Sequence, residues 1–226
     1  MKRLILGLIA IVALGSAKAQ DADFMKRQKM IFEKATYYND PVVARMALYN
    51  MISMNPSNDN LLDSLAVFYF DYGQYASAAI VSKELQTRNP DNILAYELAA
   101  ASFESLNIKD RALDEYESLF LKNNNSFTLY KIAFLQFELE RYNESLTSAD
   151  ILLRRKEAEE QKILFNKTDK TQQEVPMKAA LFNLKGIIYK EQGETDKAAD
   201  FFDQAIEAAP DFELAQLNKK SLTEGE

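Results

Sequence analysis

The 226-residue chain has no histidine, no cysteine and no tryptophan, and only six glycines. Without cysteine there are no disulfides, thiolate nucleophiles, iron–sulfur clusters or cysteine-held zinc, nor any thiol to carry a lipid. Without histidine there is no Ser-His-Asp triad, no imidazole-bound metal, and no side chain that titrates near neutrality unperturbed. Outside the first twenty residues the glycines are Gly73, Gly186, Gly193 and Gly225. They stand too far apart for a G-x-G-x-x-G turn or a P-loop, so the usual phosphate cradles are missing. Composition therefore points away from an enzyme, a cofactor carrier or a metal protein. What is present is a chain 47% hydrophobic and 27% charged, too apolar to stay disordered.

The first twenty residues, MKRLILGLIAIVALGSAKAQ, place Lys2 and Arg3 before an apolar run from Leu4 to Leu14 and end in the small-x-small triplet Ala17-Lys18-Ala19. That order is the signature of a secretory signal peptide over residues 1–19, cut between Ala19 and Gln20. As a helix the apolar run spans about 16 Å against a hydrocarbon core of roughly 30 Å, so no stable membrane span is expected. Cleavage removes Lys2, Arg3 and Lys18 and no acid, which takes 27 bases against 34 acids to 24 against 34, and the net charge from −7 to −10. Such a chain repels nucleic acid and anionic membranes. The basic run Arg154-Arg155-Lys156 leads straight into Glu157, Glu159 and Glu160, as on a solvated helix face. A secreted chain without cysteine fits a bacterial periplasmic or extracellular protein.

The remaining chain has an internal period. Pro56 and Pro90 lie 34 residues apart, each after an apolar-periodic run. With those prolines in phase, units cover about 25–58, 59–92, 93–125 and 126–153, and a further unit spans 179–212 after an insertion over 154–176. Each unit predicts two helices. In the second, Leu62, Leu65, Ala66 and Tyr69 form one apolar stripe, Gly73 is placed for a left-handed turn, and Asn89-Pro90-Asp91 stops the second helix.

The last unit carries the pattern most fully: Phe182, Gly186, Tyr189, Gly193, Ala198, Phe202, Ala205 and Pro210. With the partial matches in the other units, this resembles the tetratricopeptide repeat family over nearly all of residues 24–222. The resemblance implies an all-α fold, a right-handed superhelix of helix-turn-helix repeats closed by a C-terminal capping helix over 213–222. Departures are Lys185 in the last unit, Asn124 for proline in the third, Gln136 and Ser145 in the fourth, and Gln28 and Ala35 for aromatics in the first. Ala66, Ala100, Ala133 and Gly186 are expected where paired helices, about 8–10 Å apart, leave no room for a large side chain.

The same resemblance implies that fixed positions on the first helices line a binding groove. Here these include Asp63, Val67, Phe70 and Asp71, then Leu94, Glu97, Ala101 and Glu104. They continue with Phe127, Tyr130, Phe134, Phe137 and Glu138, and with Asn183, Ile187, Lys190 and Glu191. Chaperone-binding members carry Lys, Asn and Arg at such positions. Asp63 and Glu97 have the wrong sign for an acidic peptide tail and suit an apolar or aromatic segment bearing Lys or Arg. Tyr130, Phe134 and Phe137 lie on a helix that is apolar nearly all round, and are either covered by neighbours or exposed as a partner patch. The insertion is expected to begin as a continued helix through Lys162 and to pass into a polar loop at 166–171, as a surface addition or a partner contact. The expected function is a non-catalytic envelope scaffold that binds a protein or peptide; self-association and apolar-ligand carriage are the alternatives.

Overall fold

The computed structural model describes residues 2–223, with side chains from Gln20 onward. The side chains on which the signal-peptide expectation rests lie outside that set. The chain forms two compact units, residues 1–106 and 107–226, and the boundary falls inside the third repeat, between its two helices.

The first unit contains α1 (Lys2–Tyr37), α2 (Pro41–Met54), α3 (Asp59–Asp71), α4 (Tyr75–Arg88) and α5 (Ile93–Ser105). The second contains α6 (Lys109–Asn123), α7 (Ser126–Glu138), α8 (Tyr142–Leu153), the single turn α9 (Glu157–Glu160), strands β1 (Lys162–Asn166) and β2 (Gln172–Pro176), and α10 (Met177–Glu191), α11 (Thr195–Ala208) and α12 (Glu213–Lys220). Successive helices pair as α1–α2 and α3–α4 in one unit and as α7–α8 and α10–α11 in the other.

Local chemistry sets these boundaries. Asn58, Asn92 and Asn125 stand just before α3, α5 and α7, and each side chain accepts a backbone N–H of the first turn. The turns between paired helices are left-handed at one recurring position: Asn39, Gly73, Asn107, Glu140 and Gly193, all with φ between 55° and 77°. Only two of the five use glycine, which is how a repeat protein manages with so little of it. Around this residue the chain closes six-residue rings, in which the N–H groups of Asp40, Gln74, Arg141 and Glu194 donate to the carbonyls of Ala35, Tyr69, Gln136 and Tyr189 at 2.7–2.8 Å.

Small residues sit where the pairs cross. Ala66, Ala100 and Ala133 on the first helices, and Ala44, Ala78, Ala112 and Ala198 on the second, are wholly buried. Gly186 shows why: a Cβ built there would lie 2.5 Å from Cε1 of Phe202, whose ring is fully buried.

The polar departures from the repeat pattern find polar partners. Ser145, in an alanine position, donates through Oγ to the carbonyl of Ala133 at 2.7 Å, and Ser148 donates to Gln136 Oε1 at 2.8 Å. Gln28 accepts from Asn50 at 3.0 Å. Lys185 is buried, with its ammonium 2.6 Å from Asp150 and 4.4 Å from the Phe201 ring centre. Tyr69 shares a 2.5 Å hydrogen bond with Tyr49, and its phenol is pushed up to about 12, first by burial and then by that bond.

The insertion differs from expectation. Rather than continuing as helix to Lys162, the chain leaves α8 at Leu153, makes one turn as α9, and enters an antiparallel hairpin. The reason is a period of two around Ile163, Phe165 and Val175. Ile163 pairs directly with Val175, and both are buried, while Leu164, next to Ile163 on β1, faces out. That inward face is worth more than the helix propensity of the charged residues before it. The hairpin rests on the C-terminal end of the chain: Phe165 lies 4.9 Å from Phe212, and Gln173 donates to the carbonyl of Asp211. Phe212 and Ala215 anchor α12 in full burial, while Leu217 is exposed. Arg155 is not on a solvated face either. Its guanidinium donates to the Asn124 carbonyl at 3.0 Å and to Asn124 Oδ1 at 2.7 Å, as Arg88 donates to the Pro56 carbonyl at 2.7 Å in the other unit.

Candidate functional site

In the first compact unit, α1, α3 and α5 together line a cavity of about 340 Å³. Its walls are Phe32 and Thr36 from α1, Asp63, Ser64, Val67, Phe68 and Asp71 from α3 with Tyr72 just after it, and Leu94 from α5. Three predicted groove residues, Asp63, Val67 and Leu94, meet here, and Asp71 joins them. The floor is built by local packing: Phe68 stacks with Tyr72 at 4.5 Å and lies 6.4 Å from Phe32, and Val67 and Tyr72 rest on the core of the unit. Asp63 accepts a 2.8 Å hydrogen bond from Asn92, the residue that caps α5, so its carboxylate is fixed in the wall by the next repeat. The result is an apolar recess with two carboxylates at its walls.

Phe70 and Glu97 are not part of it. Phe70 turns toward Tyr75, 5.4 Å away, and packs on the core, while Glu97 is exposed on α5. Phe32, Thr36, Phe68 and Tyr72 were not singled out from sequence. Phe32 and Thr36 belong to the first unit, whose pattern is weakest, and Tyr72 follows the helix end.

In the second unit the aromatic residues of α7 divide. Tyr130 is buried, and burial alone pushes its phenol up. Phe137 is half-buried against Ala133, Leu184 and Ile188 and lies 6.2 Å from Tyr142. Phe134 and Phe127 stay exposed, at 39% and 47%. Tyr130 and much of Phe137 are therefore covered, while Phe127 and Phe134 stay in water. The corresponding positions of α10 face the capping region: Asn183 accepts from Asn218 at 2.9 Å and Lys190 donates to Ser221 at 2.8 Å.

Among the described residues, no three Asp or Glu side chains come together as a group that could hold a metal ion. Glu160 pairs with Lys156 and Glu138 with Lys109. Among the same residues, no helix is long and apolar enough to cross a membrane.

Comparison with known proteins supports the repeat assignment. Residues 179–212 match the family model described as Tetratricopeptide repeat. No curated protein matches the chain in sequence. Among solved structures it is similar to YrrB, described as a TPR protein with an unusual peptide-binding site, at 15% identity and a TM-score of 0.67 over 92% of this chain and 96% of that one. A tetratricopeptide repeat protein from Parabacteroides merdae aligns at 19% identity and a TM-score of 0.66, covering 88% and 72%. A crystal structure of MamA aligns at 16% and 0.63, covering 83% and 92%. At these identities the likeness is one of fold. Residues 179–212 are a tetratricopeptide repeat by sequence, and the chain that contains them has the helical-repeat fold of tetratricopeptide proteins.

Proposed function

We propose that the chain is a non-catalytic interaction module of the bacterial cell envelope, and that its first compact unit holds a segment of a protein partner. The observation that carries this reading is the recess of about 340 Å³ on the first helices, apolar within and bearing Asp63 and Asp71. Recognition by such a surface favours one or two large apolar or aromatic side chains flanked by Lys or Arg, because the carboxylates select the sign of the flanks while burial supplies the affinity. The description of YrrB as having a peptide-binding site agrees with this use of the fold.

The test is titration of synthetic peptides with an aromatic residue between basic ones, against the native protein and the variant Asp63→Asn with Asp71→Asn. The native protein is expected to bind in a salt-dependent manner. The double variant should bind about tenfold more weakly, roughly 1.4 kcal/mol, with a flatter salt dependence. Equal affinity for acidic and basic peptides, or no change in the double variant, would sink the proposal.

Envelope placement rests on the order of charge, apolar run and small residues within residues 1–19. Sequencing the N-terminus of the protein recovered from a cell-envelope fraction should find Gln20 first. Recovery only in the cytoplasm with residues 1–19 intact would exclude it.

A further inference from the structure

Among the described residues of the first unit, the α1–α2 pair bears a row of exposed apolar side chains. Between α1 and α2 lies a cavity of about 550 Å³. It is lined by Met30, Ile31, Ala35, Tyr38 and Val43 with Arg27, Lys34 and Asp40 around them. Ala35 is part of its cause: the equivalent residues in three of the four other units are Tyr69, Phe103 and Tyr189, so the first unit has a methyl group where these have a ring. Among the described residues α1 packs mainly against α2, whereas in the second unit α12, with the buried Phe212 and Ala215, packs against α11.

We propose that this face joins two copies of the chain through a two-fold interface. The apolar area is of the right size. Exposure runs from 40% at Ile31, through Val43, Met30, Met46 and Tyr38, to 80% at Tyr37. For side chains of this size that amounts to roughly 800 Å² per copy, which is what each partner contributes to a stable interface. The surface is also self-complementary. Phe24 and Ile31 lie seven residues apart on α1, and Tyr38, seven further on, directly follows its end, so an antiparallel α1 from a second copy presents the same residues in return.

Charge favours the same occupant. The whole chain carries −7, so two copies repel over most of their surface. Here Arg27 is paired with Asp23, and the cavity lining holds one further base, Lys34, and one acid, Asp40. Two copies thus meet at little electrostatic cost. An acidic or basic partner protein gains nothing comparable from a neutral face.

Sedimentation velocity over a hundredfold concentration range tests this, on the processed form beginning at Gln20 and on the full chain. The expected result is a rise from one to two copies in the processed form. Ile31→Glu with Tyr38→Glu should return it to one copy at every concentration, with helical circular dichroism unchanged. Both residues are exposed, so the fold is preserved. Growth beyond two copies, or a dimer that persists in the well-folded double variant, would overturn the interface. A native chain that remains a single copy would assign the face to a different partner and overturn it equally. Peptide binding in the recess near Asp63 is read separately, so failure of one proposal is distinguishable from failure of the other.

Discussion

Phe202→Ala is expected to lower stability by about 3–5 kcal/mol, the range for removing a fully buried aromatic ring from a tight core. The ring occupies the space left by Gly186, at a distance where even a methyl group would collide. Two effects of opposite sign follow for Gly186→Ala. Alanine in a helix interior gains about 1 kcal/mol over glycine through its lower backbone entropy. Overpacking against the ring costs about 1–3 kcal/mol, so steric cost wins in the native protein. With Phe202 already replaced by Ala the collision is gone, and Gly186→Ala should then stabilise. Urea unfolding of the four proteins in this cycle measures the change of sign. Additive effects would show that Gly186 serves some end other than helix approach.

The second large effect lies in the hairpin. Val175 is wholly buried and faces Ile163, so Val175→Asp places a carboxylate among apolar side chains with no partner nearby. The expected cost near neutrality is about 4 kcal/mol or more, because a buried unpaired charge is among the few changes that reach that size. Burial disfavours the ionised form and raises the new carboxyl's pKa above its value in the unfolded chain. The penalty is thus full above the raised value and diminishes as pH falls toward the ordinary aspartate range. Leu164→Asp, one residue along the opposite strand face, should cost within about 0.5 kcal/mol, since Leu164 is 58% exposed. Unfolding curves at about pH 7 and pH 5 separate the two. Similar losses for both variants would mean that the hairpin is not docked by its Ile163–Val175 face.

Much of the architecture was legible because the repeat writes the same instruction several times. Ala66, Ala100, Ala133 and Gly186 recur in phase, and a small residue in that place has one physical use. The hairpin was not legible for the opposite reason: it occurs once, and its alternation is only five residues long after a stretch of good helix formers. The partners of Ser148 and Lys185 lie 12 and 35 residues away, so no local window could pair them. At the site, Asp63, Val67 and Leu94 came together because repeat phase places them on facing helices. Phe70 did not, since a step of about 100° per residue carries it round toward Tyr75. Phe137 is covered because α10 packs against α8 and α7 once the insertion has brought it there.

The five left-handed turns also bear on the order in which the chain assembles. A helix pair cannot close until its turn residue enters that region of backbone space. Glycine samples it freely, asparagine at modest cost, and glutamate only against steric resistance. Gly73 therefore makes α3–α4 the readiest pair to nucleate in the first compact unit, and Gly193 does the same for α10–α11 in the second. The pair around Glu140 waits for its neighbours to hold it in place. Each unit thus carries its own seed, and the two can start folding independently.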